Sequence, residues 1–423
     1  MTPRRSTPFR KLLKAIGWLL LALLLIVLSW VAFNGPWADA PARARPAVLT
    51  PAPLQVGEPS AYAMLRGEET GPDLFKASPW QCGAPGSDCA QVWPEQGEKL
   101  REQLKAVGDF ARVCEAATVD GVSWVEPAVK LPEKNPASAA IPDYRKITYC
   151  HRWLRAQAVL AVLDGDDARA LQTLRRADRA MRSALVGAQS LLGHAIAWSM
   201  ARQQWQVVAA LVRKRPQLAG QLLEVLRPLD PAAQGTGRWI AHESAFSHAV
   251  MRDLQRNCEA AVGTHKNLGS WQDQLWCTGK LGMLFELSAQ ETDANFLQVL
   301  DRTRDGALQA VTHPATAVPE PSLFAWRNSL GHVLVFVARP SWDQYFHKQA
   351  EMELGRQAAE LVVKMTAEKV PPAQRQAWLN SQALPPETKD RFSLTADQLR
   401  AQPWRDDETA KQQLSFPLPN NSP

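Results

Sequence analysis

Apolar positions crowd the chain first between Ala15 and Phe33, where 19 consecutive residues, AIGWLLLALLLIVLSWVAF, carry no charge. As a helix rising about 1.5 Å per residue, such a stretch is roughly 28 Å long, close to the hydrocarbon thickness of a bilayer. Trp18, Trp30 and Trp37 sit near its ends, where amphipathic rings favour the water–lipid interface. The pattern predicts a transmembrane helix over 15–33. A cleaved export signal is the competing reading, with a small-x-small site at Ala42-Arg43-Ala44. Its apolar region normally runs only about 7–15 residues, however, so the length favours an anchor that stays.

Beyond the apolar run the pattern changes twice. Residues 34–58 carry Pro36, Pro41, Pro46, Pro51 and Pro53 among several alanines, a composition that predicts an extended tether. From there to the end, over 57–423, apolar residues recur at three- and four-residue spacing between proline-marked breaks, as amphipathic helices require. Leu100, Leu104, Val107 and Phe110 predict one helix over 94–117, with Pro94 at its start. Residues 119–143 read as a proline-punctuated loop. Two helices over 144–163 and 167–185 are then joined through Asp164-Gly165-Asp166. Further helices are predicted over 188–214, 216–227, 237–261, 291–311, 341–369 and 371–381. The tail from about Leu384 shows no sustained period and reads as an extended segment that wraps the body or frays. HVLVFVA at 332–338 is strand-like, but an isolated strand has no partner, so a buried helical turn is the better reading. The expected fold is all-α: an irregular bundle of antiparallel helical hairpins preceded by one transmembrane helix.

Charge sets the orientation of that anchor. The chain has 48 basic and 42 acidic residues, a net charge of +6. Arg4, Arg5, Arg10, Lys11 and Lys14 lie in or beside the 1–14 tail, and without them 43 basic face 42 acidic residues. The basic flank holds the tail in the cytoplasm and sends the body to the far side. The expected location is therefore the inner membrane, single-pass, with the bulk periplasmic. The nearly neutral body offers no concentrated basic face, which argues against nucleic acid as a partner.

Six cysteines suit an oxidising compartment. Cys82 and Cys89 bracket the turn-rich GAPGSD, Cys114 and Cys150 fall in consecutive helical stretches, and Cys258 and Cys277 flank a glycine-containing loop. Sequential pairing is the preferred one among the connectivities that six cysteines allow. Without a CxxC there is no thioredoxin-like or zinc-ribbon signature.

Candidate chemistry is sparse. Ile240-Ala241-His242-Glu243-Ser244-Ala245-Phe246 resembles the Glu-Ser step of lytic transglycosylases, in which a helix-borne glutamate is the general acid on peptidoglycan. That resemblance makes Glu243 the one catalytic candidate, since burial alone can raise a carboxylate into the acid's working range. The Gly-Leu-Met-Gln segment expected to follow is replaced by SHAVMRDLQRN. The blander account is a helix glutamate paired with Arg238 or Arg252. His242 and His248 are six apart, roughly 240° round a helix, and cannot share a metal as the two histidines of HExxH do. The other histidines are scattered singly. Gly279-Lys280 fails as a P-loop because Gln274 and Leu281 stand where glycine and Ser or Thr belong. No cofactor motif and no metal site is expected. Arg175, Arg176, Arg179 and Arg182 form a basic helix strip, read as a solvated face. The 16 tryptophans leave room for a third reading, capture of a small molecule in an aromatic pocket.

The Gly-Asp turn and the DARAL start of the second helix resemble a tetratricopeptide hairpin, but no 34-residue recurrence follows. The basic tail and anchor, the proline-rich tether, SAYAML at 60–65 and the Cys82–Cys89 pair recur in layout elsewhere. With ANFLQ at 294–298 and Asn328-Ser329-Leu330-Gly331, they resemble a group of membrane-anchored helical envelope proteins of Gram-negative bacteria. That resemblance implies a placement and no activity. The expected function is a non-catalytic binding or assembly role with an envelope protein as partner. A peptidoglycan-acting lytic enzyme using Glu243 is the alternative.

Overall fold

The computed structural model describes residues 8–34, 36–52, 54–68, 81–82, 89–130, 141–263, 284–312, 327–328, 342–405 and 414–419, with isolated positions at 132, 139, 335 and 411. The protein is mostly helical, with few strands. α1 (Pro8–Asn34) contains a 21-residue span, Lys14–Asn34, whose apolar stretch has a mean hydropathy of 2.6 and is not buried against the body. It is long and apolar enough to cross a membrane.

Small helices α2 (Ala61–Arg66), α3 (Cys89–Lys105) and α4 (Asp109–Ala117) lead into the body. The single helix expected over 94–117 is two. Pro94 lies inside α3 rather than at its start, and the chain turns at Gly108, whose φ of 59° favours a residue without Cβ.

α5 (Tyr144–Leu163) and α6 (Asp167–Gly187) follow the sequence pattern closely. Asp143 caps α5 by accepting from the Arg145 N–H, and Asp166 caps α6 by accepting from that of Arg169. Gly165 between them takes φ 77°, and the two helices pack along each other. α7 (Leu191–Lys214) starts at Ser190, whose hydroxyl accepts from the Gly193 N–H at 2.9 Å. α7 packs on α5 and α6. α8 (Ala219–Leu222) and α9 (Pro231–Gln234) are single turns, so the helix expected over 216–227 is a broken series of short turns.

α10 (Gly237–Gly263) lies against α11 (Phe285–Arg302). The helix expected over 291–311 starts earlier and is interrupted: Gly306, at φ 97°, separates α11 from α12 (Ala307–Thr312). α13 (Trp342–Ala367) joins two cores. Its first turns put Trp342, Phe346 and Ala350 with Leu49, Trp239 and Phe296. Its later turns bring Leu354, Ala358 and Val362 into the larger core with Val159, Leu174 and Val208. The strand-like 332–338 apart from Val335, Cys258, Cys277 and the Gly279-Lys280 pair fall outside the residues whose side chains are described.

The C-terminal part is the clearest departure from the sequence reading. After α14 (Arg375–Ser381) and α15 (Pro386–Lys389), β1 (Phe392–Leu394), β2 (Gln398–Ala401) and β3 (Ser415–Pro417) form an antiparallel sheet in the order β1-β2-β3. Leu394 pairs with Leu399, and Leu399 with Phe416. Leu399, Leu414, Phe416 and Leu418 are buried in the larger core, so the tail is part of the packed body. Glu351 of α13 fastens it through Arg405, Nε to Oε1 at 3.0 Å. The Arg391 guanidinium covers the Trp404 ring, 4.0 Å from its centroid.

Two cysteine pairs stand at disulfide distance, Cys82 with Cys89 and Cys114 with Cys150. The second ties α4 to α5.

Residues 36–52 and 54–58 are irregular, with 3-10 turns at Pro36–Ala38 and Ala47–Leu49, and they lie along the body. Asn34 accepts from the Asn328 N–H at 2.6 Å. Asp39 accepts from the N–H groups of Glu286 and Leu287 at 3.1 and 3.0 Å, supplying from a distance the cap that Leu284 cannot give α11. Arg45 donates to Ser244 at 2.9 Å, and Leu49 is fully buried beside Trp239. Further on, the Leu54 N–H donates to Gln189, and Ser123 bridges Gly57, Pro59 and Ala61. The segment read as a spacer therefore binds the end of α1 to the body.

Candidate functional site

A buried polar cluster gathers at the start of α7, and of the candidates in the sequence Glu243 lies beside it. Glu126, in the proline-punctuated loop, is fully buried there. Its carboxylate accepts from the Gln189 N–H at 2.7 Å, the Ser190 N–H at 3.0 Å and the Ser190 hydroxyl at 2.6 Å. The Tyr144 hydroxyl is its fourth donor. The amides of the N-cap residue and of the residue before it, with two hydroxyls, thus share one anion, which the helix dipole also favours. Burial raises the Tyr144 and Tyr62 hydroxyls far above their ordinary range, with the Glu126 charge adding to it. Both phenols stay protonated, and Tyr144 donates to Glu126. A Cβ at Gly193 would stand 2.2 Å from the Glu126 Oε2, so α7 admits this carboxylate only because glycine occupies that position.

Glu243 lies on α10 beside this cluster. It is half-buried, and its Oε1 accepts from the Leu191 N–H at 3.2 Å. Burial pushes its pKa up, the Leu191 hydrogen bond holds it down, and the nearby Glu126 charge raises it again. Neither arginine offered as its partner takes that role. Arg238 donates to the Val186 and Ala188 carbonyls, and Arg252 lines a notch on another part of α10. Glu243 is therefore a desolvated carboxylate capping a helix, with no salt-bridge partner among the described residues, and it lines neither the groove nor the notch described below.

Ser244 takes part in a different cluster, which sequence inspection missed because its members are far apart in the chain. Its hydroxyl donates to Asp293 Oδ1 at 3.3 Å and accepts from Arg45, while His248 Nε2 meets the same Asp293 oxygen at 2.8 Å. The residue types are those of an acyl-transfer triad, but the order is wrong. Nucleophilic serine needs the histidine between itself and the aspartate. Here Asp293 stands in the middle and Ser244 is fully buried. The cluster acts as a clamp on Arg45.

The remaining candidates resolve into structural roles. His151 and His194 are buried, and desolvation holds both pKa values down, His194 to about 3. Among the described residues no group of His, Cys, Asp or Glu is placed to hold a metal ion. The basic strip on α6 is largely engaged: Arg175 pairs with Glu224 at 2.9 Å, Arg179 with Asp120 at 3.0 Å, and Arg182 with Asp178 and three backbone carbonyls. Tryptophans do converge, Trp239 stacking on Trp342 at 5.6 Å. Both are buried in the smaller core, so the aromatic cluster is a plug. Among the described residues Arg155 is the most deeply buried cation, donating to Gln203, and burial lowers its pKa to about 9.

Among the described residues, a groove and a notch are open to solvent. The groove, of about 660 Å³, runs between the extended stretch 122–125, the end of α6 and residues 227–230. The notch, of about 30 Å³, lies between α10, the start of α11 and Arg43.

No protein-family model, curated protein or solved structure gives a significant match to the chain.

The Glu243 geometry has a measurable consequence. A carboxylate whose pKa is raised by folding adds stability below its unfolded pKa and loses it as pH rises through the folded value. At pH 7 the charged form is thus a net cost that Glu243→Gln removes, while its amide oxygen still accepts from Leu191. The variant is expected to match or exceed the wild type by up to about 1 kcal/mol at pH 7, with the gap closing near pH 4. Urea titrations at the two pH values check this. A loss above about 1 kcal/mol at pH 7 contradicts it.

Proposed function

We propose that the chain is a single-pass inner-membrane protein with a cytoplasmic tail. Its body, an irregular bundle of antiparallel helical hairpins, acts in the periplasm as a binding or assembly module for an envelope protein. One observation carries this reading: the apolar helix α1 leaves the body with its surface bare, yet its last residue and the stretch after it are hydrogen-bonded to the body. A bare apolar helix on a packed body is costly in water and stable in lipid. The basic tail supports the orientation, and the cysteine pairs support an oxidising compartment.

Desolvation of Glu243 favours a second reading, a peptidoglycan-acting lytic enzyme with this residue as general acid. Against it stand the helix-capping bond to Leu191 and the use of Ser244 in the Arg45 clamp. The test has two parts. The protein is expected in the membrane fraction at the mass of the uncleaved chain, and full-length protein in detergent is expected to release no muropeptides from peptidoglycan. A soluble protein starting near Arg45 contradicts the anchor. Muropeptide release that disappears in Glu243→Gln contradicts the non-catalytic role and establishes the second reading.

A further inference from the structure

The notch beside the end of α1 has a charge pattern that nothing in the fold uses. Asp39 caps α11, and Pro41 accepts from Gln290 of α11 at 2.9 Å, so the chain leaving α1 runs directly along one wall. Arg43 and Arg252 stand at the exposed rim, and Glu286, half-buried, lies within. None of these three side chains has a hydrogen-bond or ion-pair partner among the described residues. The other titratable groups of the lining, His248 and Asp293, are bonded to each other. Met251 and Phe285 supply apolar surface. The free volume of about 30 Å³ matches one small polar group, about the share of a water molecule in the liquid.

Two unpaired guanidinium groups outside and one unpaired carboxylate inside fit a ligand with one anion and one small cation. Guanidinium binds phosphate oxygens in a bidentate fork, and a carboxylate accepts from an ammonium group. We propose that this notch seats the headgroup of an aminophospholipid from the leaflet into which α1 opens. The phosphate lies between Arg43 and Arg252, and the primary ammonium donates to Glu286. The inference rests on α1 being a membrane anchor, and it names the surface on which the body meets the bilayer. Trp37, 69% exposed at the end of the same helix, provides the aromatic neighbour that the interface favours. The source is lipid rather than a free phosphate compound because fastening the chain from Asn34 to Arg45 onto the body keeps the notch close to where α1 leaves the membrane.

Native mass spectrometry of the full-length protein, extracted from membranes in detergent, reads retention of added phosphatidylethanolamine, phosphatidylcholine and phosphatidylglycerol with identical acyl chains. The wild type is expected to hold phosphatidylethanolamine about tenfold more tightly than phosphatidylcholine, whose quaternary ammonium cannot donate, a ratio equal to about 1.4 kcal/mol. Glu286→Gln is expected to erase that preference, and R43Q/R252Q to weaken both lipids. All three substituted residues are at least partly exposed, so unchanged thermal midpoints serve as the folding control. Equal retention of the two zwitterionic lipids by the wild type overturns the proposal, as does tighter retention of phosphatidylglycerol than of phosphatidylethanolamine. Soluble phosphoethanolamine displacing the lipid at equal concentration overturns the lipid source. A wild-type chain found in the soluble fraction contradicts the anchor itself, whereas a membrane-bound chain without headgroup preference contradicts this inference alone.

Discussion

Glu126→Ala is expected to destabilise the protein by about 3–5 kcal/mol, the range for a buried charged network that loses one side. The carboxylate is the common acceptor for the Gln189 and Ser190 amides and for the Tyr144 and Ser190 hydroxyls. Removing it leaves those donors buried without an acceptor, and α7 loses the anion at its positive end. Glu126→Gln is expected to keep more than half of the stability. Its amide oxygen can face the two backbone N–H groups while its NH2 donates to hydroxyl oxygens, which accept as well as donate. Gly193→Ala probes the same site from the other side, because the added methyl group forces the carboxylate out. Denaturant midpoints of the three variants should rank Gln above both Ala variants. If Glu126→Ala costs less than about 1 kcal/mol, the upper range for an exposed ion pair, the buried network is not what holds the start of α7.

The second large effect concerns the Cys114–Cys150 pair, which closes a loop with a sequence separation of 36. In the chain-entropy picture such a crosslink contributes about 4 kcal/mol by restricting the unfolded state, against about 2 kcal/mol for a loop as short as that of Cys82–Cys89. Both Cys114 and Cys150 are fully buried, so alanine is the suitable replacement because it buries no hydroxyl. C114A/C150A is expected to lose roughly twice the stability that C82A/C89A loses. Reduction of the wild type should lower the urea midpoint at least as far as C114A/C150A does. A wild type whose midpoint ignores reductant contradicts both crosslinks.

The central helices were legible because several signals agree in them. α5, α6, α7 and α13 carry long periodic stripes, and Asp143, Asp166 and Ser190 mark three of the starts with side chains that accept from the first turn. Single-residue punctuation was harder to weigh. Pro94 suggests a helix start although α3 accommodates it within, and Gly306 falls inside the helix expected over 291–311 although it lies between α11 and α12. The C-terminal sheet escaped because strands of three and four residues are too short for alternation to stand out from chance. Only the pairing of Leu399 with Leu394 and Phe416 gives them meaning.

The candidate site was legible in its types and not in its partners. Glu243 was found because Glu-Ser on a helix resembles known chemistry, yet the acceptor that organises its surroundings is Glu126, in a stretch without any period. Its amide donors are 63 and 64 positions away. The Arg45–Ser244–Asp293 clamp joins the segment after α1 to α10 and α11 across 199 positions for its first bond. Asp39 capping α11 is a contact of the same kind, spanning 247 and 248 positions. Local sequence carries no record of such contacts, because they depend on where the packed helices bring the chain.

The central claim, a body held outside the cytoplasm by α1, is tested most directly by fusing two reporters separately after Pro423. Alkaline phosphatase is active only once exported, and green fluorescent protein matures only when kept in the cytoplasm. The account predicts high phosphatase activity and no fluorescence at equal expression. Fluorescence with an inactive phosphatase places the body in the cytoplasm and contradicts it.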